Sequence, residues 1–258
     1  MTQDQQMQKQ GIFIAVDANI GAGKTNACHA MASAASTAGW PARVLEEPTN
    51  HPKFNYFLSH YYDDLRTGKN TGGGFAMQMF MLCQRYEQHR LAVELAWGSN
   101  GTVVVQDRPI YGDTVFATTA MEQGFMTNQE YELYVEFFRN MSRDVMPPDI
   151  FVFLKVSPEQ CHQRMAIRAR NQEEGVPLEY LEHLNKNYDI LIQEMRRRGV
   201  RVLEVDWQEF GPPVELWKRI LGMVNSPDSW YEQLTFSFAK HPRMPIANAT
   251  SAEGGADD

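Results

Sequence analysis

The chain has 258 residues, 43% of them hydrophobic and 22% charged, enough for one substantial core and too few to require a second domain. A formal net charge of -8 argues against a nucleic-acid partner, because affinity for a phosphate backbone is carried by clustered Lys and Arg. Cys28, Cys83 and Cys161 are far apart, odd in number and without ligand-spaced His, a pattern that suggests neither a disulfide framework nor a zinc site and fits reduced thiols in a cytoplasmic protein.

Residues 1–10 form a polar, Gln-rich leader without the charged head and apolar run of a secretory signal, and are expected to be disordered. No apolar stretch is long enough to span a bilayer, so no membrane partner is expected. The folded domain is expected over residues 11–224. Residues 225–258 form an extension, disordered at its end, where Ala, Ser, Gly and acid offer little apolar surface to bury.

Five short apolar runs rich in β-branched residues, at 12–16, 42–45, 102–105, 150–156 and 200–205, are separated by helical pattern. Between Thr127 and Val145, for example, Tyr131, Tyr134, Val135, Phe138 and Met141 recur at helical spacing. Strands alternating with helices predict an α/β fold with a parallel sheet, in which ligands sit at the carboxyl ends of the strands.

Directly after the first run stands Asp17-Ala18-Asn19-Ile20-Gly21-Ala22-Gly23-Lys24-Thr25, followed by an Ala-rich helical segment. This is a phosphate-binding loop between strand and helix. Backbone N–H groups from Asn19 through Gly23 can cradle phosphates, Lys24 can reach the outer ones, and Thr25 can ligate magnesium. Ala18 occupies the place of the motif's first glycine. The stretch Gly72-Gly73-Gly74 has no strand before it and no Lys-Thr after it, and reads as a flexible loop.

The second run ends in Glu46-Glu47-Pro48, where a carboxylate can accept a proton from a hydroxyl nucleophile. The third is followed by Asp107-Arg108-Pro109, an acid for magnesium beside a guanidinium that can hold an oxygen of the substrate or of the transferring phosphate. Past the fourth run, Arg164 and Arg168 share a helix face, with Arg170 close behind. Such a cluster can neutralise charge on a moving phosphoryl group.

Three stretches together resemble the deoxynucleoside kinases, the family of deoxycytidine, deoxyguanosine and bacterial deoxyadenosine/deoxyguanosine kinases, across residues 12 to 206. They are Glu47-Pro48 with Asn50 and Pro52, residues 106–113 around Asp107-Arg108-Pro109, and Arg168-Ala169-Arg170 leading to residues 177–182. Asp rather than Glu before Arg108 looks more like the bacterial branch. The resemblance implies a P-loop kinase fold with a five-stranded parallel sheet flanked by helices and an Arg-rich lid. It implies phosphorylation of the 5′-hydroxyl of a deoxynucleoside by ATP and Mg2+, in a homodimer.

Position by position, the resemblance implies that Glu47 is the general base, Arg108 steadies the 5′-oxygen, and Asp107 with Thr25 binds magnesium. Arg164, Arg168 and Arg170 would close over the ATP phosphates. Tyr62 and Glu173 would hold the sugar 3′-hydroxyl, and the loop at Asp206-Trp207 would pack on the adenine. Gln78 and Arg85 are seven residues apart on a predicted helix, so they share a face about 10 Å apart along its axis. A Gln amide can give and accept hydrogen bonds on one base edge, and a buried Arg85 needs an anion, which the family pattern supplies as Asp113. This set favours a purine deoxynucleoside or deoxycytidine over thymidine. The competing readings are a nucleoside monophosphate kinase and a non-catalytic scaffold of the same fold.

Overall fold

Every one of the five apolar runs is a strand, in a computed structural model that describes residues 11–98, 101–168 and 175–225. The strands are β1 (Ile12–Asp17), β2 (Ala42–Leu45), β3 (Val103–Asp107), β4 (Ile150–Lys155) and β5 (Val202–Asp206). They form one sheet in the order β2-β3-β1-β4-β5, with every neighbouring pair parallel. β1 and β3 are buried along their whole length, which explains why they read as unbroken apolar runs rather than alternating ones. The third strand reaches two residues further than the apolar pattern indicated, because Gln106 and Asp107 continue the ladder opposite Ala15 and Val16. That register sets the carboxyl ends of β1 and β3 side by side.

The helices are α1 (Lys24–Thr37), α2 (Phe54–Thr67), α3 (Gly73–Trp97), α4 (Asp113–Glu122), α5 (Asn128–Arg143), α6 (Pro158–Arg168), α7 (Leu178–Arg197) and α8 (Pro213–Val224). A single 3-10 turn, Ile110–Gly112, leads into α4. α1 packs on β2, β3 and α8, while α3 packs on β1, β3, α4 and α5, so helices cover both sides of the sheet. The stripe read from the sequence is α5, which buries Tyr134, Val135 and Phe138, each worth about 1.5–3 kcal/mol. Thr127 caps it in a reciprocal bond with Glu130, which fixes where the helix begins.

The triple glycine is not a flexible loop. Gly72 caps α3 in the left-handed conformation, and Gly73 and Gly74 form its first turn. A Cβ on Gly73 would lie 2.8 Å from the His60 carbonyl oxygen, and one on Gly74 would lie 2.1 Å from that of Phe125. The buried carboxylate of Asp64 accepts from the backbone of Thr71 and Gly73 and from the Thr71 hydroxyl. The residues following α2 are thereby pinned to the start of α3.

Candidate active site

The phosphate loop leaves β1 at Asp17 and enters α1 at Lys24. Gly21 and Gly23 both adopt positive φ, 80° and 89°, and a Cβ on Gly21 would come within 2.5 Å of the Cys161 carbonyl oxygen. Ala18 is fully buried and donates its backbone N–H to Asp17 Oδ1 at 2.8 Å, so the position that usually opens the motif with glycine accommodates a methyl group. The side-chain amide of Asn19 donates to the Leu181 carbonyl at 2.8 Å, tying the loop to α7. Ala22 presents its carbonyl to Arg164. Burial, and then the neighbouring Arg108 cation, lower the Lys24 pKa.

Thr25 donates its hydroxyl to Asp107 Oδ2 at 2.6 Å, while Asp107 Oδ1 is buried with no hydrogen-bond partner among the described residues. Burial raises the Asp107 carboxyl above its ordinary range, with the Lys24 charge opposing. A hydroxyl bonded to one oxygen of a carboxylate whose other oxygen is unpartnered supplies hard donors of the kind magnesium takes, so the pair fits that ion.

On the other side of Lys24, Glu47 Oε1 accepts from Arg85 Nη2 at 2.5 Å and from Arg108 Nε at 3.1 Å. Burial alone would raise the Glu47 pKa, but Arg108, Arg85 and Lys24 overcome it and hold the carboxyl below the usual carboxylate range. Arg108 has a φ of 62°, rare for a side-chain-bearing residue, and its N–H donates to the Val16 carbonyl at 2.9 Å. Such a conformation costs about 1–3 kcal/mol and persists only where surrounding contacts enforce it. Arg85 is buried and also paired with Asp113, which accepts a further bond from the Tyr134 hydroxyl at 3.2 Å. Gln78, buried one face-repeat earlier on α3, and Tyr62 on α2 line the same cavity as Glu47, Arg85 and Arg108.

A second cavity is lined by Gly23, Lys24, Thr25, Glu47, Arg164, Arg168 and Phe210. Arg164 does not project into it as an unengaged cation. Its guanidinium donates to the carbonyls of Ala22, Trp207 and Gln208 at 2.9, 3.2 and 2.6 Å and lies 4.8 Å from the Phe210 ring centroid. Asp206 accepts from the Gln208 backbone N–H at 3.1 Å and shapes the turn after β5. The Trp207 ring is buried at 3% exposure, and the ring that stands open beside the phosphate loop is Phe210, at 62%. Arg170 and Glu173 lie outside the described residues.

The two cavities share Gly21, Lys24, Glu47, Thr49 and Arg168 in their walls. A phosphate loop, a buried carboxylate and a pair of basic side chains therefore meet in the wall common to both cavities. A deoxynucleoside kinase family profile matches residues 14–225. The chain belongs to the deoxynucleoside kinase family. Relatives of this deoxynucleoside kinase include a deoxyadenosine kinase of Dictyostelium discoideum, 33% identical over 84% of this chain and 80% of the other. A deoxyguanosine kinase of Bacillus subtilis is 26% identical over 75% and 86% of the two chains. Among solved structures, a deoxyadenosine kinase from M. mycoides with the products dCMP and dCDP superposes with a TM-score of 0.65. It is 26% identical and covers 81% of this chain and 98% of that one. The protein is thus an ATP-dependent kinase of deoxynucleosides.

Sequence reasoning did not single out several residues that this kinase brings to the site. Tyr180 and Phe116 line the first cavity, and the Phe116 ring lies 4.6 Å under the Arg108 guanidinium. Tyr188 reaches Asp17 and Arg108 from α7. Phe210 alone left a sequence signal, an aromatic four residues after Asp206 in a polar loop.

Proposed function

We propose that the chain transfers the γ-phosphoryl group of ATP to the 5′-hydroxyl of a deoxynucleoside, with Glu47 as general base. The observation that carries this reading is the wall common to both cavities, to which Lys24, Glu47 and Arg168 all contribute. A 5′-hydroxyl presented there can give its proton to Glu47, which three cations keep ionised. Arg108 steadies the attacking oxygen. The N–H groups at the start of α1, with Lys24, hold the donor phosphates in line with it. Asp107 and Thr25 would hold magnesium, which when bound neutralises phosphate charge. Phe210 offers an apolar face for the donor base beside Gly23.

On the acceptor side Gln78 and Arg85 read the base, Asp113 fixes the guanidinium, and Tyr62 closes on the sugar. A purine deoxynucleoside or deoxycytidine is favoured over thymidine, and the names of the relatives support that choice. A nucleoside monophosphate would bring a second anion beside Glu47, whose two neighbouring guanidiniums already each pair with two carboxylates, Arg85 with Asp113 and Glu47, Arg108 with Asp17 and Glu47.

A homodimer through helices flanking the sheet completes the reading. The groove between α4 and α7, lined by Val115, Thr118, Ile190 and Leu191 with Ile190 half exposed, offers an apolar face for it. Three unpaired cysteines suit a cytoplasmic setting. The test is a phosphoryl-transfer assay with ATP and magnesium against the four deoxynucleosides, their ribose analogues and their monophosphates, beside Glu47→Gln. Transfer to a deoxynucleoside that collapses in the variant is expected. Faster transfer to a monophosphate, or thymidine as best substrate, would sink the reading.

A further inference from the structure

Arg108 is held far more tightly than its proposed contact with a substrate oxygen requires. Its Nη1 donates to Asp17 Oδ1 at 2.8 Å and to the Tyr188 hydroxyl, and the same hydroxyl donates to Asp17 Oδ1 at 2.9 Å. Its Nε is on Glu47, and its flat face lies on the Phe116 ring. These contacts engage Nε and Nη1 on different sides of the guanidinium and leave Nη2 with no hydrogen-bond partner among the described residues. Asp17 and Tyr188 are fully buried, and Arg108 is 2% exposed.

The frame is closely packed from below as well. Asp17 Oδ2 lies against Gly112, where a Cβ would stand only 1.9 Å from it, so only glycine leaves room for the carboxylate there. Tyr188 sits on α7, the helix whose Leu181 carbonyl also receives the Asn19 amide of the phosphate loop. The triad thus links three segments that must agree in position: the phosphate loop, the end of β3 and α7.

We propose that Asp17 and Tyr188 are positioning residues for phosphoryl transfer, acting through Arg108 by fixing the rotation of its guanidinium against Glu47. A buried ion pair is weak evidence for stability, since apolar replacements of such pairs are often neutral or stabilising. A hydroxyl that both accepts from the arginine and donates to its counter-ion does what an apolar residue cannot: it sets the angle of the fork. The proposal rests on the reading of Arg108 as the group that steadies the reacting oxygen.

The test is a double-mutant cycle on the full chain, read as kcat and acceptor KM under single-turnover and steady-state conditions. Tyr188→Phe keeps the ring and removes only the hydroxyl. We expect kcat to fall about tenfold with acceptor KM within about twofold and the melting temperature close to wild type, as for loss of one charge-assisted bond felt in the transition state. In an Arg108→Lys background, which keeps the cation but not the fork, the same change should lower kcat by about twofold or less. Asp17→Asn should reproduce the kcat effect if it folds. Equal losses from Tyr188→Phe in both backgrounds, or no loss in the wild type, would overturn the proposal. If Arg108→Lys itself left kcat unchanged, the role of Arg108 would fall and the proposal with it.

Discussion

Glu47 and Arg85 meet at 2.5 Å, so the carboxylate proposed to take the proton and the cation proposed to read the base share one hydrogen bond. With Arg108 and Lys24 also close, Glu47 stays ionised well below the usual carboxylate range. A base whose pKa is lowered loses its function only as pH falls through that lowered value. The acid limb of kcat/KM should therefore lie below about pH 4, the ordinary region for a Glu. Glu47→Gln should lower kcat on the order of 10²- to 10⁴-fold at any pH where the protein is folded. A wild-type acid limb near pH 6, abolished in the variant, would show that the cations do not control Glu47 during turnover.

Arg85 also neutralises Asp113, which is fully buried. Arg85→Met leaves that carboxylate with the Tyr134 hydroxyl as its hydrogen-bond donor among the described residues, and should destabilise the fold by about 3–5 kcal/mol. Arg85→Met with Asp113→Asn removes both charges and should recover much of the loss in a denaturant titration. The same double variant should have an acid limb moved to higher pH, since one of the three cations holding Glu47 is gone. It should also discriminate less between deoxycytidine and thymidine. Recovery of stability without the shift in the acid limb would separate the two roles of Arg85 and refute the second.

How much of this was legible in the sequence follows from how local each feature is. The phosphate loop occupies adjacent positions between a strand and a helix, and the Glu47-Pro48 and Asp107-Arg108 pairs sit at strand ends that the apolar runs mark out. The Arg85–Asp113 pair came from the family resemblance joined to helix geometry, and the fold brings the two together. Tyr188 could not be found this way. It lies 171 residues from Asp17, on a helix whose apolar spacing makes a tyrosine look like plain core. Gly73 and Gly74 read as a loop because nothing in their neighbourhood announces the close backbone approach of α2 and Phe125. Arg164 lines the cavity at the phosphate loop, but its bonds to the Ala22 and Gln208 carbonyls could not be read, because a sequence does not show which backbone carbonyls a guanidinium will meet.

The aromatic positions after β5 divide by exposure. Phe210 lies over Arg164 and Gly23 with most of its surface open, whereas Trp207 is packed into the fold. Phe210→Ala should raise the KM for ATP by about five- to thirtyfold, the loss of about 1–2 kcal/mol of stacking, and leave kcat at saturating ATP and the melting temperature unchanged. Trp207→Ala should behave the opposite way, destabilising by about 3–5 kcal/mol. An unchanged KM for ATP in the Phe210 variant would move the donor base elsewhere in the cleft.

Far from the reacting groups, at the amino end of the sheet, Asp149 accepts from the Phe13 backbone N–H at 2.6 Å and from Trp97 Nε1 at 3.2 Å. Burial nevertheless pushes its carboxyl up to about 6, against the opposing pull of those two bonds and of Arg201. A carboxyl whose pKa rises on folding binds its proton more tightly in the native state. Its contribution to stability is therefore fully present below about pH 4, and is lost as pH rises through about 6. Two pKa units correspond to roughly 3 kcal/mol. Asp149→Asn keeps an oxygen for both donors and cannot ionise, so its stability relative to wild type should grow between pH 4 and pH 7 by up to that amount. Denaturant midpoints measured for both proteins across this range would test it: parallel curves would mean that Asp149 titrates alike in the folded and unfolded chain, and that its two hydrogen bonds fully offset its burial.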